Sequence, residues 1–178
     1  MEYQEVLDFW FKEVDPEKHF IKDENLDEEI KQRFSEVHLQ AAAGELWQWR
    51  ETIQGRLAEI IVLDQFSRNM YRGQAKAFST DGMALILAQE AIRTKEAEKL
   101  PTNQRSFLYM PFMHSESMAI HDIAMKLFSE VGMEETLQYE IGHREIIAQF
   151  GRYPHRNEAL SRVSTPEEIA YMKENEGF

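Results

Sequence analysis

The stretch from Ile53 to Gly73 limits most what this chain can fold into. Ile53, Leu57, Ile60, Ile61, Val62, Leu63 and Phe66 fall at helical spacings, and the unbroken apolar run from 60 to 63 leaves little polar face. Such a helix has to be surrounded by others, which makes it central. It then runs into a knot of charged and amide side chains, Asp64-Gln65-Phe66-Ser67-Arg68-Asn69-Met70-Tyr71-Arg72-Gly73. If the helix continues past Phe66, Asp64 and Arg68 stand four apart on one face, as do Gln65 and Asn69, and as do Arg68 and Arg72. The last pair sets like charges side by side, which favours a carboxylate partner or a bound anion between them. Gly73 offers a natural stop.

The rest of the chain also reads as helix. Tyr3 to about Lys12 forms a short one, broken by Asp15-Pro16. Asn25-Leu26-Asp27-Glu28 has the spacing of a capping box and opens a helix that stops near Gly44. A turn carrying Leu46, Trp47 and Trp49 follows, with both tryptophans expected in the core or a lid. Ser79, Thr80 or Asp81 caps a helix through Ile92, and Thr94 to Pro101 is a connection. The dense run Phe107 to Met113 contains Pro111, which predicts a helix end followed by a buried loop. Ser115 is the expected cap of a helix ending at Gly132, and another helix runs from about Glu134 to Phe150 with Gly151 as its stop. Thr165-Pro166-Glu167-Glu168 combines a capping threonine, a first-turn proline and a glutamate three residues on, and opens a terminal helix. No alternating strand pattern stands out, so the fold class is all-α, with residues 1–178 as a single domain.

Composition narrows the function. An apolar content of 43% over 178 residues suffices for one sizeable core. The chain has no cysteine, which excludes disulfides, thiolate metal sites and a cysteine nucleophile, and fits a reducing compartment. With no basic n-region at Met1-Glu2-Tyr3-Gln4-Glu5 and no long apolar span, neither signal peptide nor membrane segment is expected, and the cytoplasm is the expected location. A net charge of −12 argues against nucleic acid and anionic membranes as partners. Yet Arg68, Arg72 and Lys76 make one basic island, and Arg144, Arg152, Arg156 and Arg162 another, enough local potential to capture a small anion.

Three polar islands break the apolar pattern: the stretch from Asp64 to Gly73, Met113-His114-Ser115-Glu116, and Phe150-Gly151-Arg152-Tyr153-Pro154-His155-Arg156-Asn157. Together with Ala77-Phe78-Ser79-Thr80-Asp81 and Ser164-Thr165-Pro166-Glu167-Glu168, in this order and spacing, they closely resemble a bacterial family of uncharacterised proteins catalogued as domain of unknown function 924. The resemblance spans essentially the whole chain. It implies an all-helical fold similar to tetratricopeptide-like superhelices, with layered antiparallel helix pairs, and it implies no reaction. Ser67 is a departure, since many relatives look to have proline before the Arg-Asn pair; serine keeps its backbone N–H and lets the helix run on.

The working expectation is a polar pocket where the islands meet. Asp64, Arg68, Asn69 and Arg72 supply one side, His114 and Glu116 the second, and Arg152, His155, Arg156 and Asn157 the third. The arginines suit a carboxylate or phosphate; His114, Glu116 and His155 are the candidates for acid–base chemistry. The competing reading pairs the arginines with Asp64, Asp81 and Glu116 in a structural lattice, and a helical scaffold for an acidic peptide is the third possibility. A hydrolase of the histidine–carboxylate kind is a further alternative, although Ser115 beside His114 is not a triad. Glu140 and His143 have a di-iron spacing without the second Glu-x-x-His such sites use, so no metal and no cofactor are expected. The sequence leaves the oligomeric state open.

Overall fold

The computed structural model describes residues 1–177, and every regular element among them is helical. In chain order these are α1 (Tyr3–Asp8), α2 (Glu24–Ala42), α3 (Ile53–Ile61), α4 (Ser67–Met70), α5 (Asp81–Arg93), α6 (Thr102–Met113), α7 (Met118–Leu127), α8 (Glu134–Phe150) and α9 (Pro166–Glu174). A π-helical turn, Val62–Phe66, joins α3 to α4, so one helical path runs from Ile53 to Met70.

That path is the centre. Leu57, Ile60, Ile61, Val62, Leu63 and Phe66 are fully buried, and each such large side chain contributes about 1.5–3 kcal/mol through burial. α3 packs against α1, α5 and α6, while the π turn and α4 lie on α2. α6 continues the packing to α7, and α7 to α8. At the end of α8 a smaller cluster of Ile146, Ile147 and Tyr153 gathers Met118, Phe150 and Tyr171 around it.

Several ends form as their side chains dictate. Thr165 accepts the N–H of Glu168 at 3.1 Å and opens α9 behind Pro166. Gly151, at φ 71°, closes α8 in the left-handed region where a side chain is disfavoured. Other ends differ from the sequence expectation. α2 is capped by Asp23, whose Oδ1 takes the N–H groups of Asn25 and Leu26, both at 3.0 Å, and not by Asn25. α7 starts behind Ser117, while Ser115 accepts the Ser117 N–H at 3.2 Å. Trp47 is 60% exposed and not in the core, whereas Trp49 sets its ring edge-on to Tyr3 at 6.2 Å.

The largest correction concerns Pro111. Phe107 to Met113 is not a helix end and loop but the last two turns of α6, with the proline inside. The whole run from Ser106 to Met113 is buried between neighbouring helices, and this packing outweighs the one backbone bond that proline cannot make.

Candidate functional site

The site begins in the π turn. A wider turn leaves backbone carbonyls without their ordinary partners, and here hydroxyls reach the Leu63 carbonyl: Ser67 Oγ donates to it at 2.6 Å and Thr80 Oγ1 at 2.7 Å. This ties the start of α5 to the central path. Asp64, 1% exposed, lies in the same turn. Its Oδ2 accepts from Gln65 Nε2 at 2.7 Å, and its Oδ1 is 2.7 Å from His114 Nδ1 at the end of α6. Arg68 Nη1 donates to the Asp64 carbonyl at 2.9 Å and approaches Oδ1 at 3.4 Å. The same guanidinium grips Asp81 with two parallel bonds, 2.8 and 2.9 Å long.

The electrostatics follow from this crowding. Burial opposes ionisation of Asp64, but the positive charge of His114 whenever it is protonated, the charge of Arg68, and the hydrogen bonds from His114 and Gln65 bring its pKa down to about 2. Burial, reinforced by Arg68, lowers the pKa of His114 below the usual imidazole value, with Asp64 pulling the other way. Near neutral pH the arrangement is an ionised carboxylate beside a neutral imidazole.

Arg156 joins from the turn Pro154–Arg156 that follows α8. Its Nη2 donates to the His114 carbonyl at 2.9 Å, and its guanidinium lies over the rings of Tyr153 and Phe78 at 4.5 and 4.7 Å. Among the described residues its nearest carboxylate, Asp81, is 3.7 Å away. Burial and the neighbouring Arg68 charge lower its pKa. Glu116 fixes the same region from the loop before α7: it takes the Tyr153 N–H at 2.8 Å and two bonds from Arg162 at 2.8 and 2.9 Å. Burial alone would raise its pKa, but these bonds hold it below the usual carboxylate value.

A pocket of about 330 Å³ opens between these groups. Asp81, His114, Glu116 and Arg156 line it together with the apolar side chains of Phe78 and Leu85.

Of the residues expected at a common site, Asp64, Arg68, His114, Glu116 and Arg156 are brought together, with Asp64 and Arg68 directly behind the lining. The other five lie elsewhere, each committed to a partner. Asn69 and Arg72 both turn to Asp27 of α2, at 2.8 Å and at 2.7 and 2.8 Å. Arg152 binds Glu168 of α9 at 2.8 Å, and Asn157 bonds Ser164 and Arg162. His155 Nε2 is 2.9 Å from the Asn175 carbonyl. Glu140 and His143, the pair with metal-like spacing, also separate: Glu140 Oε1 is 2.6 Å from His121 Nδ1, and His143 Nδ1 is 2.6 Å from the Tyr139 carbonyl. Among the described residues no group of three or more acidic or histidine side chains could hold a metal ion.

Phe78, Asp81 and Leu85 line the pocket although sequence reasoning did not place them there. Phe78 and Asp81 sat in a motif of the family resemblance, which was a usable signal; Tyr153 and Arg162, which both bond Glu116, lay in the third polar island and in the second basic island.

A family model described as "Bacterial protein of unknown function (DUF924)" matches residues 6–176. A solved structure of a protein of unknown function from Agrobacterium tumefaciens is 39% identical in sequence, with 97% of each chain covered and a TM-score of 0.92. No curated protein matches the chain. Among the described residues no helix is long and apolar enough to cross a membrane.

Proposed function

Because the chain belongs to the DUF924 family of bacterial proteins of unknown function, its own geometry has to suggest a role, and we propose that the pocket beside Arg156 binds a small anionic molecule through a carboxylate or phosphate group. The observation that carries this reading is the state of Arg156. A guanidinium has five N–H donors, and among the described residues this one makes a single close hydrogen bond, to the His114 carbonyl, while the Asp81 carboxylate stays 3.7 Å away. Two aromatic rings hold it flat at the pocket wall, an arrangement that fixes the fork for a planar anion. Phe78 and Leu85 offer an apolar surface for the rest of the ligand.

The reading takes the protein to be cytoplasmic, and it includes a tetratricopeptide-like layering of helix pairs, supported by the packing of α6 on α7 and of α7 on α8. A second reading, the scaffold for an acidic peptide, draws support from Phe20 and Tyr139, both more than half exposed and stacked at 6.4 Å. Native mass spectrometry of the purified protein, with a thermal-shift screen of small carboxylates and phosphates, tests the choice. The pocket reading expects a bound small anion or a stabilising hit; a clean apo mass with no shift overturns it, and a co-purified peptide selects the scaffold.

A further inference from the structure

We propose that His114, held by Asp64, is a general base that activates water against a small ester whose free carboxylate Arg156 holds, which makes the protein a hydrolase. This rests on the binding reading above and adds a reaction to it.

The tautomer decides which nitrogen of His114 can act. Asp64 is ionised and accepts, so the proton between it and His114, across 2.7 Å, sits on Nδ1. In a neutral imidazole the lone pair is then on Nε2. Nε2 has no hydrogen-bond partner among the described residues, His114 is one of the residues lining the pocket, and its side chain keeps 15% exposure. His121 differs in using both nitrogens, Nδ1 at 2.6 Å from Glu140 and Nε2 at 2.7 Å from the Ser115 carbonyl, while His38, with its Nδ1 unpartnered among the described residues, is buried away from solvent. In His114 the carboxylate fixes orientation and tautomer, and the opposite nitrogen is left to work.

The groups around it favour the neutral, basic form near pH 7. Asp64 and Arg68 face it from the central path, Asp81 from α5, His143 from α8 with ring centres 6.5 Å apart, and Arg156 from the turn beyond, bonded to the His114 carbonyl. Burial and the Arg68 charge outweigh the carboxylates and lower the pKa. Because Arg156 is anchored on the same residue, a carboxylate on its guanidinium brings the remainder of a short ligand past the imidazole.

In the step, a water adds to the ester carbonyl as Nε2 takes one of its protons. The bond from that carbon to the alcohol oxygen then breaks, and the imidazolium returns the proton to the departing alcohol. Ester and water become acid and alcohol, with the imidazole restored. No oxidant, metal or second substrate is needed.

The test uses the full chain and the mono-p-nitrophenyl ester of glutaric acid, with glutarate binding measured separately by calorimetry. Saturable release of nitrophenol is expected, with kcat/KM rising through an apparent pKa below the ordinary histidine value and level above it. His114→Gln should lower kcat by a factor of about 100 or more, while Arg156→Gln should chiefly raise KM. The wild-type pH profile needs no variant to fold. Release no faster than in buffer, a rate that climbs in proportion to hydroxide, or an unchanged rate in a folded His114→Gln protein overturns the proposal. If glutarate binds in an Arg156-dependent manner without turnover of the ester, the hydrolase fails and the binding reading stands; if glutarate does not bind, the binding reading fails for this ligand as well.

Discussion

How many of its donors a guanidinium uses inside the protein separates Arg68 from Arg156. Arg68 reaches the backbone and side chain of Asp64 and both oxygens of Asp81, so it belongs to the fold. Arg68→Ala should therefore destabilise the protein by about 3–5 kcal/mol, the range for leaving buried charges unpaired, measured by denaturant unfolding. A loss under about 1 kcal/mol would show that the lattice contributes little. The pairing of Asp64 with Arg68 was legible in the sequence because four residues separate them on a helix. The partner of Arg72 was not, since Asp27 lies 45 positions away and the packing of α4 on α2 decides that contact.

Helix by helix, the chain follows local rules except where packing overrides them. The helical periodicity of the central path and the caps near Thr165 and Gly151 could be read directly. Pro111 could not, because burial on several sides keeps α6 intact through it. Gly55 is a second such case: a Cβ there would come 2.0 Å from the Trp49 carbonyl oxygen, so the glycine lets the turn Trp47–Glu51 lie against the start of α3. Gly55→Ala should cost about 1–3 kcal/mol as an overpacked contact, read as a lowered midpoint in denaturant. Ser67 serves the π turn in a way its sequence context did not reveal. Besides the Leu63 carbonyl, it meets His38 Nε2 at 2.7 Å and Thr80 Oγ1 at 3.0 Å. Ser67→Ala should cost about 1–3 kcal/mol by leaving a buried polar group without its partner, and hydrogen exchange near residues 63–67 should rise.

Across the whole molecule, buried histidines set the response to acid. Burial lowers His143 to about 3 and, with a smaller push from Lys76, His38 to about 4, each from an ordinary 6.5. Between those values and 6.5 the unfolded chain binds the more protons, so stability should fall as pH drops below 6.5. Asp64 acts in a lower window: its contribution is present above 3.8 and is lost as pH falls through about 2. Denaturant midpoints taken at pH values from about 7 to about 4 should decline steadily, and His143→Gln should flatten that decline. An unchanged slope in the variant would remove His143 from the account.

The meeting of pocket residues from α5, from the end of α6 and from the turn after α8 is also a property of the whole molecule. The polar islands at helix ends pointed to it for His114, Glu116 and Arg156, while the contribution of α5 through Asp81 and Leu85 was not expected there. Its central claim is that Arg156 serves a ligand and not the fold. Thermal melts of Arg156→Gln beside the wild type, each with and without the anion that gives the largest stabilisation, test this most directly. The account predicts a midpoint in the variant close to that of the free wild type, and no shift on adding the anion. A sharply lower midpoint with the anion-induced shift retained would contradict it, and would place Arg156 with Arg68 in the structural lattice.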